Sequence, residues 1–309
     1  MKRRPPRWTL ALALLFALDR LLKYAAVVRF FRRPPPPPPA DWPSLSVLQP
    51  VTRGASGLAG NLRARLGHGY PGAVEHFLIC DRADDESRRI CEAALAAHPA
   101  ARATILLADA PGGVAGKIEK LDLALPLARG EMLWFLDDDV APRPGAAATL
   151  VRHLGAPGAG SAFGLACYVN WRTVWSSAMS SFVNANVLIS YLPLAALTEP
   201  YTITGHCFML RRQVFEAIGG LAGMAGRVDD DHELARRVQA AGLRNLQTPL
   251  VYDVDNELGS WAAYANQMRR WAVFPRATML PQMRAYDRAV TALGSLANLL
   301  PGLVALGAL

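Results

Sequence analysis

The chain has 309 residues, 52% of them hydrophobic, and a formal net charge of +8. That is room for one large α/β domain with membrane-contacting segments, or for two small domains. The basic excess is confined to residues 1–33, where nine Lys and Arg face Asp19 alone, and beyond them 24 basic and 24 acidic side chains cancel. A nucleic-acid-binding protein spreads positive charge over its folded body, so no nucleic-acid partner is expected, and a membrane surface suits the basic terminus better.

The stretch 8–31 is apolar but interrupted by Asp19, Arg20, Lys23 and Arg29. On a helix, Asp19, Arg20 and Lys23 fall within about 100° of one another. The segment is therefore either a membrane anchor with a polar stripe or an amphipathic helix lying in the interface. No small-residue cleavage site follows it, as a signal peptide would require. The run of prolines at 34–39 is a stiff polyproline spacer. The expected organisation is a basic N-terminal membrane segment (1–33), a proline-rich linker (34–43), a folded domain (44–285) and an apolar C-terminal membrane segment (286–309).

The domain opens with a strand over 44–51, turn residues Arg53 and Gly54, and a helix over 58–66. A second strand, HFLIC at 76–80, ends in Asp81, Asp84, Asp85 and Glu86. A helix over 87–98, a strand over 103–107 and a loop at Pro111-Gly112-Gly113 lead to a helix opening at Gly116-Lys117. Strand and helix alternate throughout, the rhythm of a parallel, doubly wound sheet.

The next stretch, LWFLDDDV at 133–140, is the centre of the chain. Its four apolar residues show no alternation, as in a strand buried on both faces. Pro142 and Pro144 are expected to keep the strand from continuing past Asp137, Asp138 and Asp139. Open α/β sheets bind ligands at the carboxyl ends of strands. In an extended segment Asp137 and Asp139 share one side and Asp138 takes the other, so substitution of Asp138 should cost least. Two hard oxygen donors suit Mg²⁺ or Mn²⁺, with a substrate's phosphates completing the shell. The plain alternative is a solvated acidic turn.

Further on, 161–170 reads as a strand, 174–191 as an amphipathic or buried helix, and 202–210 as a strand. His206, beside Gly205 in that apolar run, reads as a hydrogen-bonded core histidine. Asp229, Asp230 and Asp231 precede a helix closed by Gly242, and a helix over 261–274 carries Gln267, Arg269, Arg270 and Trp271. Residues 289–309 carry no charge and are long enough to span a bilayer, although Pro301, Gly302 and Gly307 leave a re-entrant or interfacial course open. The four cysteines (Cys80, Cys91, Cys167, Cys207) show neither CxxC pairing nor zinc spacing, which suits a reducing cytosolic setting.

Three acidic clusters followed by Gln267-x-x-Arg270-Trp271 form an ordered set. With VLQP, CDRADD, GKIEKL, LWFLDDDV, GLACYVN, TGHCFMLRR, DDDHELARRVQAAG and QMRRW, the stretch 45–281 resembles the inverting family 2-type glycosyltransferases of the GT-A fold. The resemblance is greatest to the ceramide-glucosyltransferase-like branch, which includes bacterial enzymes associated with hopanoid lipids. It implies a doubly wound, mostly parallel, Rossmann-like α/β domain. It assigns nucleotide contact to Asp84, with Asp81 a close competitor, and to Lys117. It makes Asp137 and Asp139 holders of a divalent ion, Mg²⁺ or Mn²⁺, that bridges the sugar nucleotide's diphosphate.

By the same resemblance Asp231, in the second acidic position of the D-D-x-x-L pattern beside Asp230, is the general base. Gln267, Arg270 and Trp271 are placed at the diphosphate and acceptor. The implied partners are a nucleotide sugar, a UDP-hexose or UDP-N-acetylhexosamine, and a membrane lipid hydroxyl, at the cell's inner membrane with the domain facing the cytoplasm. One alternative is a processive polysaccharide synthase, against which the chain lacks the several membrane helices of a polymer channel. Another is a non-catalytic, membrane-tethered nucleotide-sugar-binding protein, which would have no use for a base beside the metal aspartates.

Overall fold

The computed structural model describes residues 6–52, 54, 57–67, 69–109, 114–225, 227 and 229–308. Arg53 and the loop 111–113 lie outside these residues. Helix α1 (Arg7–Phe31) precedes the domain. Then β1 (Leu45–Pro50), α2 (Leu58–Leu66), β2 (Val74–Asp81), α3 (Asp85–Ala96), β3 (Arg102–Ala108), α4 (Val114–Ala124) and β4 (Met132–Leu136) alternate as strand and helix. The four strands are parallel and lie side by side as β3-β2-β1-β4. Helices cover both faces, which is why the strands are apolar without alternation: Met132, Trp134 and Leu136 enter one core cluster, Leu133 and Phe135 the other. Because β2 and β4 flank β1 on opposite sides, the strand order reverses there and opens a crevice at the carboxyl ends of β1 and β4.

The second half follows with β5 (Val140–Pro142), α5 (Ala146–Leu154), β6 (Ala159–Tyr168), α6 (Val174–Asn186), a π-helical turn at Val187–Tyr191, α7 (Leu192–Ala195), β7 (Cys207–Arg211), α8 (Arg212–Ala217), α9 (Asp230–Ala240) and β8 (Arg244–Val254). Strand β7 enters antiparallel between β4 and β6, β8 runs parallel to β6, and β5 closes the edge antiparallel to β8. The eight-stranded α/β sheet is thus parallel in its first half and mixed in its second.

Two local expectations change. The chain leaves the sheet at Leu136 but re-enters it as β5, with Pro142 at the end of an edge strand where its missing N–H costs no ladder bond. Only Cys207–Arg211 of the stretch 202–210 pairs as a strand, and its first residue lies opposite Leu136. Strand β8, the longest at 11 residues, lies in a stretch for which the sequence reading places no element.

The chain ends with α10 (Trp261–Phe274), a π-helical turn at Pro275–Met279, α11 (Leu280–Gln282), α12 (Ala285–Leu296), a 3₁₀ turn at Ala297–Leu299 and α13 (Leu300–Ala308). Among the described residues two 22-residue segments, Val174–Ala195 and Ala285–Leu306, are long and apolar enough to cross a membrane. The polar stripe of α1 faces the C-terminal segment. Asp19 pairs with Arg20 and Lys23, Arg20 Nη2 donates to Asn298 Oδ1 at 2.8 Å, and Lys23 Nζ donates to the Gly294 carbonyl at 3.3 Å. The remaining surface of α1 leaves Leu10, Leu14, Leu18 and Leu21 exposed.

Candidate active site

The three aspartates after β4 form a tight turn rather than an extended segment, with the Val140 N–H directed at the Asp137 carbonyl at 3.4 Å. Helix α2 grips this turn from behind. The buried Arg65 donates through Nη2 to the carbonyls of Asp137 at 2.9 Å and Val140 at 2.6 Å, and Asn61 Nδ2 donates to the Asp138 carbonyl at 2.9 Å. Asn61 and Arg65 are one helical turn apart, so both project from the same face. The Asp138 carboxylate accepts the backbone N–H of Thr52, which follows β1. Asp138 thus fastens β1 to the aspartate turn while lining the same cleft as Asp137 and Asp139, and it is not a spare residue.

Arg65→Met should free the two carbonyls, costing about 1–3 kcal/mol of stability for each left unsatisfied. A lowered urea midpoint should report it. A midpoint equal to wild type would mean that water or a neighbour takes over the clamp.

On the open side of the turn, Lys117 Nζ reaches Asp137 Oδ1 at 2.9 Å, Asp230 Oδ2 at 3.6 Å and the Gly205 carbonyl at 3.3 Å. Burial disfavours the ammonium, but Asp137 and Asp230 outweigh it and hold Lys117 above the ordinary lysine range. Asp139 Oδ1 is buried and has no hydrogen-bond partner among the described residues. Burial and the neighbouring Asp137 push the Asp139 carboxyl up to about 7. Crowded carboxylates with an unpartnered oxygen are a donor set that fits a hard divalent cation. No three His, Cys, Asp or Glu side chains form a closed metal cage among the described residues.

Asp231 stands at the start of α9, its Oδ1 accepting the His232 N–H at 2.7 Å. Burial and Asp230 push its carboxyl up to about 7. Gly205 leaves room for it: a Cβ there would lie 3.2 Å from both Cβ and Oδ2 of Asp231. Asp229 and Glu233, from the same acidic run, are occupied elsewhere. Arg227 holds Asp229, and Arg236 and Arg237 hold Glu233, depressing its carboxyl to about 2 through hydrogen bonds that outweigh burial.

A single cleft of 1290 Å³ collects Asp81, Lys117, Asp137, Asp138, Asp139, Asp230 and Asp231, together with Gln267, Arg270 and Trp271 from one face of α10. Asp84 is not among the lining residues. It caps α3 through the Ser87 N–H at 3.2 Å, while Asp81 lines the wall and pairs with Lys120 at 3.1 Å. Arg270 has no carboxylate partner among the described residues. Trp271 meets Tyr168 edge-on at 6.4 Å.

The sequence reading of His206 as a core histidine lacks its place at the site, where its backbone carbonyl accepts the Asp137 N–H at 2.9 Å and the residue lines the cleft. Burial lowers its imidazole below the ordinary range. Its place beside Asp137 follows from the β4–β7 pairing, which no local pattern reveals.

A crevice at a strand-order switch, with carboxylates at the ends of β4 and α9 and an arginine-bearing helix across it, defines a GT-A scaffold. Solved structures share the fold. A mannosyltransferase from Pyrobaculum calidifontis, in complex with GDP-Man and Mn²⁺, superposes with a TM-score of 0.62 at 19% identity over 97% of this chain and 90% of its own. GalNAc-T7, solved with UDP, GalNAc and Mn²⁺, gives a TM-score of 0.56 at 13% identity over 84% of this chain and 55% of its own. The chain belongs to glycosyl transferase family 21, whose profile matches residues 9–305. It is a glycosyltransferase.

Proposed function

We propose that the protein transfers a hexose or N-acetylhexosamine from a nucleotide sugar to a membrane lipid hydroxyl, with inversion at the anomeric carbon. The observation that carries this reading is the single cleft in which Asp137 and Asp139, Asp231 and Arg270 face the same space. Asp81 is the better candidate than Asp84 for the nucleotide, since it lines that space. Asp137 and Asp139 would hold Mg²⁺ or Mn²⁺, which offsets the charge gathering on the departing nucleoside diphosphate. Lys117 and Arg270 add fixed positive charge where phosphate oxygens would sit. Asp231 takes the proton of the acceptor hydroxyl as that oxygen attacks the anomeric carbon and the bond to the diphosphate breaks. GDP-Man and UDP with GalNAc in the structural neighbours support a nucleotide-sugar donor. The ceramide-glucosyltransferase-like and hopanoid-associated resemblance supports a UDP-sugar donor and a lipid acceptor.

Residues 1–33 and 286–309 serve as the membrane-contacting ends of a domain spanning 44–285, with 34–43 as linker, at the inner face of the cell membrane. The basic excess within residues 1–33 suits anionic headgroups, each Lys or Arg worth about 1 kcal/mol near the surface. In flotation assays, replacing Arg3, Arg4, Arg32 and Arg33 with Gln should weaken binding to vesicles rich in phosphatidylglycerol and leave binding to neutral vesicles unchanged. Equal losses on both would remove the electrostatic part of this reading.

The experiment that tests the function is incubation of the full-length protein with radiolabelled UDP-glucose, UDP-N-acetylglucosamine or GDP-mannose and membrane lipids, followed by thin-layer chromatography. A labelled glycolipid is expected. A labelled polymer at the origin would point to a polysaccharide synthase, and donor binding without any product would point to a binding protein.

A further inference from the structure

The cleft does not end at its carboxylates. From Asp231 the wall continues along the arm Val174–Ala195, over Val183, Val187, Leu194 and Ala195, and Pro275 and Met279 of the π-helical turn after α10 also line it. Thr291 and Ser295 of α12 complete this limb. Both segments long and apolar enough to cross a membrane therefore contribute to the cleft that contains Asp231. Between Phe182 and Tyr201, and from Pro275 to Ser295, none of the lining residues is charged, in contrast to the carboxylate end. Phe182, which packs against Trp271 at 6.4 Å, and Tyr191 line the cleft yet leave 42% and 38% of their surface open, so the arm presents aromatic surface there. At 1290 Å³ the cleft exceeds the roughly 300–1,000 Å³ of a site for one small ligand, which leaves space beyond a nucleotide sugar.

We propose that this apolar limb binds a hydrocarbon chain of the acceptor, admitted sideways from the bilayer between the arm Val174–Ala195 and α12, so that the hydroxyl at its polar end meets Asp231. The proposal rests on the lipid-acceptor reading above and adds to it the place of the chain and the route of entry. The limb also carries hydroxyl and amide groups, at Asn186, Ser190, Thr198, Thr291 and Ser295, which a glycan could use; a hydrocarbon chain is favoured by the apolar surface of Val183, Val187, Leu194, Ala195, Pro275 and Met279 and by the two membrane-length segments beside it.

The test uses the full-length protein in phosphatidylcholine vesicles and, as probe, a long-chain primary alcohol with a photoactivatable diazirine at its far end. After irradiation, peptide mass spectrometry should place label within residues 183–195 and 275–279. Ala195→Trp, which fills the limb, and Val187→Phe, a milder filling, should each reduce that labelling at least fivefold. Retained nucleotide-sugar binding shows that a variant is folded. In glycosyl transfer, kcat/KM for monomeric alcohols should rise by up to roughly fourfold per added methylene until the limb is full, and Ala195→Trp should flatten the series. Label found only on α1 and α13, or unchanged in both folded variants, overturns the proposal. The two readings fail separately: glycolipid formed with the limb unlabelled rejects the limb alone, and labelled limb peptides with no glycosyl transfer reject the functional reading alone.

Discussion

Asp231→Asn should lower turnover by roughly two to four orders of magnitude, the scale of losing a positioned general base. Asparagine keeps the shape and can still accept the His232 N–H, but it cannot take the acceptor's proton. Binding of the nucleotide sugar should change little, because the base acts on the acceptor. The environment also sets the pH dependence. Burial and the adjacent Asp230 raise the Asp231 carboxyl to about 7. The base works only when ionised, so turnover should climb as pH rises through about 7 and level off above it, and the residual activity of Asp231→Asn should lack that climb.

A single in-line displacement by a hydroxyl deprotonated at Asp231 inverts the anomeric carbon, so an α-linked donor should give a β-linked glycolipid, read from the anomeric proton coupling. An α-linked product would remove the mechanism. Near-normal turnover in Asp231→Asn with an inactive Asp230→Asn would move the base by one residue. That second outcome has a structural rival, since Asp230 also partners Lys117. Loss of donor affinity in Asp230→Asn would identify the Lys117 contact as the cause.

The parts of this site that local sequence declares were readable. LWFL stops at DDD because a strand covered on both faces meets the crevice there, and α2 and α10 begin and end at Leu58–Leu66 and Trp261–Phe274 as their patterns indicate. The apolar arm over 174–191 was readable as a helix, although its π-helical turn was not. What could not be read depends on residues far apart in the chain. Asp81 and Asp84 are equivalent as letters, and only the course of the chain after β2 turns one to the cleft and the other to a helix cap. Arg65 looks like a solvated helix residue, and its role as a clamp exists only once β4 delivers two carbonyls to it. The polar stripe of α1 is plain in sequence, but its partners Gly294 and Asn298 lie some 270 residues further on.

Metal dependence separates the three adjacent aspartates by what each oxygen does. Asp139→Ala and Asp137→Ala should each reduce turnover by about two to four orders of magnitude, the rate equivalent of several kcal/mol of lost charge stabilisation on the leaving diphosphate. EDTA should reduce wild type to the same level, with Mn²⁺ or Mg²⁺ restoring it. Asp138 behaves differently because its carboxylate serves the Thr52 N–H. Asp138→Asn retains an acceptor oxygen and should keep most of the activity, whereas Asp138→Ala unfastens β1 from the turn and should lower the thermal midpoint as well as turnover. Asp139→Asn, by contrast, should fold normally and be nearly inactive, since a neutral amide is a poor ligand for a hard divalent cation. Mn²⁺ binding followed by electron paramagnetic resonance gives a readout independent of activity: affinity in the presence of nucleoside diphosphate should fall in Asp139→Asn and persist in Asp138→Asn. Full turnover in EDTA, with Mn²⁺ binding absent in wild type, would instead leave Lys117 and Arg270 as the groups that carry the diphosphate's charge, and Lys117→Ala would then be the inactive variant.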